Sequence, residues 1–172
     1  MKQNEFKKLL FKSAVCVMAC DGEIHDDEIK EIEIISNKTQ YFKALDCNSE
    51  LKTILDDIKD NGRKVIFNYL DSLSTLDLNT VQELLLLEVI MRIISADKKV
   101  DENEVRFLKL VKAKLKVHDE LIKERFGVVD YLFDSHYKDV KNAPEKDFFD
   151  VGDFPQLANL KDIKVEIKNK KD

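Results

Sequence analysis

Tryptophan is absent from this 172-residue chain, glycine occurs four times and proline twice. Both prolines, Pro144 and Pro155, lie beyond residue 140, so the first 140 residues are almost free of helix breakers and helices are expected there. Cysteine is scarce and odd in number. Cys16, Cys20 and Cys47 include no CxxC pair, and the nearest two are four apart on an expected helix, which points to buried reduced thiols. The three histidines, His25, His118 and His136, are far apart and form no HxxxH or HExxH motif, so zinc is not expected. A Gly-rich phosphate loop, a GxSxG elbow and a recognisable Cys and His pair are all missing. Nucleophilic catalysis and nucleotide hydrolysis therefore have no visible residues to carry them.

Long apolar runs are missing too. The most apolar stretch, residues 84–94, contains Glu88 and Arg92 and falls short of the roughly 20 residues a spanning helix needs. The first twelve residues alternate Lys with Phe and Leu without an apolar core and small-residue cleavage site, so no secretory signal is expected and a cytoplasmic location is. Charge of one sign is not in excess: 29 Lys and Arg stand against 34 Asp and Glu, a net −5, with a pI near 5.4. Nucleic acid is not an expected partner, because binding along phosphates needs clustered Lys and Arg. What the chain does have is 44% hydrophobic residues beside 37% charged ones, enough apolar material for one soluble domain with a core of its own.

Apolar residues recurring at three and four place a first helix over residues 6–19 and a second through about Asn37. Ser49 is the expected N-cap of a third helix ended by Asn61 and Gly62, and Val65, Ile66, Tyr69, Leu70 and Leu73 give a fourth. Asn79 with Gln82 three residues on reads as a capping box opening a fifth, whose apolar residues cover nearly its whole circumference, so it should be the central element. A sixth follows over residues 102–115, a seventh over 119–126 ended at Gly127, and an eighth within 128–137. The expected fold is an all-α compact bundle of seven or eight helices over residues 1–137. Residues 138–172 form an irregular extension with one short strand, Ile163, Val165 and Ile167 alternating with charged residues.

The chain also repeats itself. Asp21-Gly22-Glu23-Ile24-His25-Asp26-Asp27-Glu28-Ile29 matches Asp97-Lys98-Lys99-Val100-Asp101-Glu102-Asn103-Glu104-Val105 at a constant offset of 76 (97 − 21), sharing D-x-x-[IV]-x-x-x-E-[IV]. Each copy follows an apolar helix ending in small residues, Ala19 and Cys20 or Ser95 and Ala96. Two equivalent helix-turn-helix units are implied. On these residues the sequence resembles the TerB-like family of tellurite-resistance proteins, whose hallmark is an A-D-G-x-[IV]-x-x-x-E turn used twice in an all-helical fold; the resemblance covers roughly residues 5–137. The family pattern falls on Asp21, Gly22, Ile24 and Glu28, and again on Asp97, Val100 and Glu104. The second copy departs from it, with Lys98 and Lys99 in place of the glycine and the acidic residue. The resemblance implies a non-enzymatic binding or scaffold protein of bacterial tellurite, phage or other stress defence, linked to membrane-associated complexes and holding divalent cations on acidic surfaces.

Two readings of the turns stand side by side. In the structural one, Ile24 or Val100 plugs the hairpin, His25 or Asp101 is an N-cap, and Glu28 or Glu104 reaches back three residues as a capping box. In the other, Asp21, Glu23, Asp26, Asp27, Glu28 and Glu31 crowd six carboxylates into eleven residues and hold Ca2+ or Mg2+ weakly, better than the second turn with Asp97, Asp101 and Glu104 beside Lys98, Lys99 and Arg106. The spacing is not that of an EF-hand, since the sixth loop position is Asp26 and the twelfth Ile32. A metal-dependent hydrolase built on the Asp21 and Glu28 carboxylates is the alternative function, and Cys16 with Cys20 is a soft-metal or oxyanion site to weigh against plain core packing. In the extension, Phe148, Phe149 and Phe154 are costly to leave in water, and no other strand is in sight for Ile163, Val165 and Ile167. These six residues are the expected partner-binding set of an extension lying outside the helical core, the phenylalanines packing along a groove of the helical body or into a partner and the strand adding to a second protein or to the same tail in a dimer, with a solvated Lys-rich tail as the alternative.

Overall fold

The computed structural model describes residues 1–20, 22–96, 100–133 and 167–168. Within them the chain forms eight helices: α1 (Gln3–Met18), α2 (Asp26–Lys38), α3 (Cys47–Asn61), α4 (Arg63–Thr75), α5 (Thr80–Ile94), α6 (Glu102–Lys114), α7 (Asp119–Phe126) and α8 (Asp130–Phe133). The fold is all-α, and among the described residues no helix is long and apolar enough to cross a membrane.

The helix ends follow the local chemistry. Asn79 accepts from the Gln82 amide at 2.9 Å while the Gln82 side chain accepts from the Asn79 N–H at 3.0 Å, the reciprocal cap expected from the spacing. Gly62 and Gly127 close α3 and α7 at φ of +55° and +77°, a region that strains any residue with a Cβ. Ser49 is not the N-cap of α3. Asp46 takes that place and accepts from the Ser49 N–H at 3.1 Å, because a carboxylate one turn earlier is already positioned over the same amide.

Two helix-turn-helix units organise the core: α5 and α6 pack on each other, whereas α2 follows α1 but packs chiefly on α5. The first helices, α1 and α5, lie against each other at the centre; α2 packs on α5, and α6 packs on both α5 and α1. α3 covers α1, and α4 bridges α3 to α6. Periodicity identifies α5 as central and gives α1 a single buried face, but the structure makes α1 its equal. Every residue from Ser13 to Cys20 is buried, because α5, α3 and α6 surround that half of the helix. A run without charge, Ala14 to Cys20, was the available signal, muted by its small residues. The one hydroxyl in this run is answered: Ser13 Oγ donates to the Leu9 carbonyl at 2.7 Å and lies 2.6 Å from the Tyr69 hydroxyl. The buried Glu83 on α5 accepts the Lys116 N–H with both carboxylate oxygens, at 3.0 and 3.1 Å, and so ties the α6–α7 link to the central helix.

Candidate functional site

On either side of the two motif turns the described residues make matching backbone contacts at the offset of 76. Ala19 and Ser95 cap their helices with N–H groups donating to the Val15 and Met91 carbonyls, both at 3.1 Å, and Cys20 and Ala96 donate to Val17 and Ile93 at 3.1 and 2.9 Å. At the far side of each turn His25 and Asp101 adopt the same extended backbone, φ and ψ of −86° and 146° against −82° and 146°. Glu28 Oε2 accepts from the His25 N–H at 2.7 Å, and Glu104 Oε2 from the Asp101 N–H at 3.1 Å. Asp101 goes further and accepts from the Asn103 N–H at 2.7 Å. Both glutamates are buried, at 3% and 6% exposure. The structural reading of the repeat therefore describes these residues: the buried carboxylate of each copy satisfies an amide at the start of the second helix, where the helix dipole also favours it.

The copies differ in how the turn meets the core. Ile24 is half-buried and packs against the core, whereas Val100 is 40% exposed and does not plug its hairpin. In the second copy Val105 and Phe107, both fully buried on α6, supply the apolar anchors instead. Asp21 and Asp97, with Lys98 and Lys99, lie outside the described residues.

The other acidic residues of the first turn are drawn to separate partners. Asp27 pairs with Lys30 at 2.6 Å on the exposed side of α2. Glu31 reaches Arg92 of α5, with Nε and Nη2 at 2.7 and 2.6 Å, a two-pronged pair that pins α2 to the central helix. Glu23 stands 4.0 Å from His25 Nε2, and Asp26 opens α2. Among the described residues no group of three His, Cys, Asp or Glu side chains is placed to hold a metal ion. Asp21, the first residue of the expected set, lies outside the described residues. Two substitutions read the capping role directly. Glu28→Ala and Glu104→Ala are each expected to lower stability by about 1 kcal/mol, with matched effects on the urea midpoint. A loss several times larger at Glu28 alone would give that carboxylate a role beyond the cap.

The cysteines make no thiolate site. Cys16, Cys20 and Cys47 are free and buried, Cys20 Sγ donates to the Cys16 carbonyl at 3.0 Å, and burial pushes the Cys16 thiol up to about 12. A soft metal or an oxyanion would need the deprotonated form that this environment opposes.

Of the six extension residues, Phe148, Phe149, Phe154, Ile163 and Val165 lie outside the described residues, while Ile167 is placed. It belongs to this chain's own core, 3% exposed. Its N–H donates to Asn48 Oδ1 at 2.6 Å, and its carbonyl accepts from Asn48 Nδ2 at 3.0 Å. The neighbouring Lys168 N–H donates to Glu33 Oε1 at 3.0 Å, and its carbonyl accepts from Asn37 Nδ2 at 3.2 Å. Ile167 thus departs from the expected place outside the helical core, and its partner is not a second strand but a set of side chains on α2 and α3, because a carboxamide carries the same donor and acceptor pair as a peptide group. Comparison of the chain with protein-family models, curated proteins and solved structures finds no match.

Proposed function

We propose that this chain is a non-enzymatic helical binding or scaffold protein of the TerB-like kind, working in the bacterial cytoplasm in tellurite, phage or related stress defence through a protein partner. The observation that supports this reading best is the pair of motif copies, whose described flanking residues agree in hydrogen bonds and backbone angles at the offset of 76. The buried glutamate of each motif is used as a cap, so the motif serves to fix two helices at a set angle. A fixed frame is what a docking module needs. Among the described carboxylates Glu28 accepts a backbone amide, Asp27 pairs with Lys30 and Glu31 with Arg92, and the binding reading is preferred to the hydrolase alternative on those engagements.

Deletion of the gene in its own host, followed by tellurite and phage challenge, tests the reading. Protection is expected to return with the wild-type chain and equally with a chain carrying Glu23→Gln, Asp26→Asn and Asp27→Asn. The purified protein is expected to show no hydrolysis of p-nitrophenyl phosphate with calcium, magnesium or manganese. Absence of any challenge phenotype would overturn the stress role, and metal-dependent turnover abolished by the triple substitution would establish the hydrolase instead.

A further inference from the structure

The contact between the C-terminal segment and the helical body has an unusual composition. Four successive backbone groups, the N–H and C=O of Ile167 and then of Lys168, are each bonded to a side chain, and three residues supply all four partners: Asn48, Glu33 and Asn37. Asn48 grips Ile167 on both sides, as a neighbouring strand would grip one residue of an extended chain. Glu33 and Asn37 are four apart on α2, so they stand on one face, one turn from each other, with their polar ends directed at the same residue, Lys168. Side chains that bond only to backbone do not sense which residue they hold. Identity is read at one position, where Ile167 enters the core while Lys168 stays exposed.

We infer that the cleft between α2 and the start of α3 is a peptide-binding site that reads main chain through Asn48, Glu33 and Asn37, accepts a partner protein's extended segment carrying an Ile or Val followed by a basic residue, and is filled in the resting chain by its own Ile167 and Lys168. Charge supports this choice of occupant. α2 carries Asp26, Asp27, Glu28, Glu31 and Glu33 against Lys30 and Lys38, whereas residues 161–172 carry five lysines against three acidic residues. Basic flanks on a peptide would meet that helix favourably. Energetics support the exchange. The described part of the contact, two residues held by four hydrogen bonds, is too small on its own to be tight between separate molecules, but covalent attachment gives the chain's own segment a high effective concentration. A longer peptide with more contacts can displace it. The inference deepens the binding-module reading, and its readout is a peptide affinity that does not depend on any stress phenotype.

Fluorescence anisotropy with a labelled peptide of residues 161–172, titrated with the full chain at low salt, tests it. Wild-type chain is expected to bind weakly because the site is occupied. Ile167→Asp in the chain should empty the site and tighten peptide binding by tenfold or more, and adding Asn48→Leu, or independently Asn37→Leu, should remove that gain. Both asparagines are exposed, so neither change threatens the fold, and an unchanged thermal melt would confirm this. A probe peptide with its own Ile167→Asp should fail to bind. The inference is overturned if the Ile167→Asp chain binds no better than wild type, or if the Asn48→Leu and Asn37→Leu chains bind as well as their parent. A concentration-dependent dimer of the wild-type chain that disappears with Ile167→Asp would also overturn it, by assigning the cleft to the tail of a second copy.

Discussion

Phe11→Ala is expected to cost about 3–5 kcal/mol and to lower the melting temperature by roughly 8–16 °C. Phe11 is fully buried on α1 and meets Phe42, in the link between α2 and α3, edge to face with ring centroids 5.2 Å apart and planes at 82°. The substitution removes the transfer energy of a benzyl group and the aromatic contact that joins α1 to that link. Refilling is hindered, since α1 is held in place by α5 and α3 and cannot move inward without disturbing both. Urea titration at neutral pH provides the measurement. A loss below 1 kcal/mol would mean that Phe42 or its neighbours fill the space, and that the packing around α1 is far looser than its burial indicates.

The second large effect is expected at high pH. Burial pushes the Cys16 thiol from 9.0 up to about 12, and burial likewise pushes the Tyr69 hydroxyl above its ordinary 10, opposed by its hydrogen bond to Ser13. Each group loses its proton in the unfolded chain before it does in the native one. Between the two values the native state holds more protons, so stability falls as pH rises. Below about pH 9 the contribution from Cys16 is constant; above it the loss grows, reaching roughly 3 kcal/mol by pH 11 from this thiol alone. The urea midpoint should therefore be level from pH 7 to 9 and drop steeply beyond. Cys16→Ala should reduce the slope above pH 9 whatever it does to stability at pH 7. A midpoint that stays level to pH 11 would contradict the burial of both groups. In the native protein at pH 8 none of the three cysteines should react with Ellman's reagent, and all three should after denaturation, since all are buried.

Much of the frame was legible because it depends on neighbours in sequence. α7 runs from Asp119 to Phe126 and stops at Gly127, as its capping pattern indicates, and the Asn79 and Gln82 box needs only residues three apart. The repeat was legible for a related reason: Glu28 and Glu104 act three residues back, within one turn. What stayed hidden depends on distant residues. Six carboxylates in eleven positions could not be sorted into caps, ion pairs and metal donors until Arg92, 61 residues from Glu31, was seen to claim one of them. The partner of Ile167 lies 119 residues away, and a lone asparagine standing in for a strand leaves no periodic trace in a sequence. The full enclosure of α1 was masked because alanine and cysteine count little toward an apolar pattern while fitting closely between helices.

The crossed arrangement of the hairpins bears on how the chain comes off the ribosome. α2 is covered by α5, and α1 lies between α5 and α6, so the first hairpin emerges with its apolar surfaces bare. α3 can cover part of α1 earlier, but the surfaces of α1 and α2 that meet α5 stay bare until residues through Ile94 have been made and released. The N-terminal 38 residues are thus committed to wait for a stretch more than forty residues downstream, and nascent chains halted before α5 should be the ones that chaperones and proteases recognise. In this molecule two copies of a motif do not head halves that mature independently; each half is the template on which the other becomes stable.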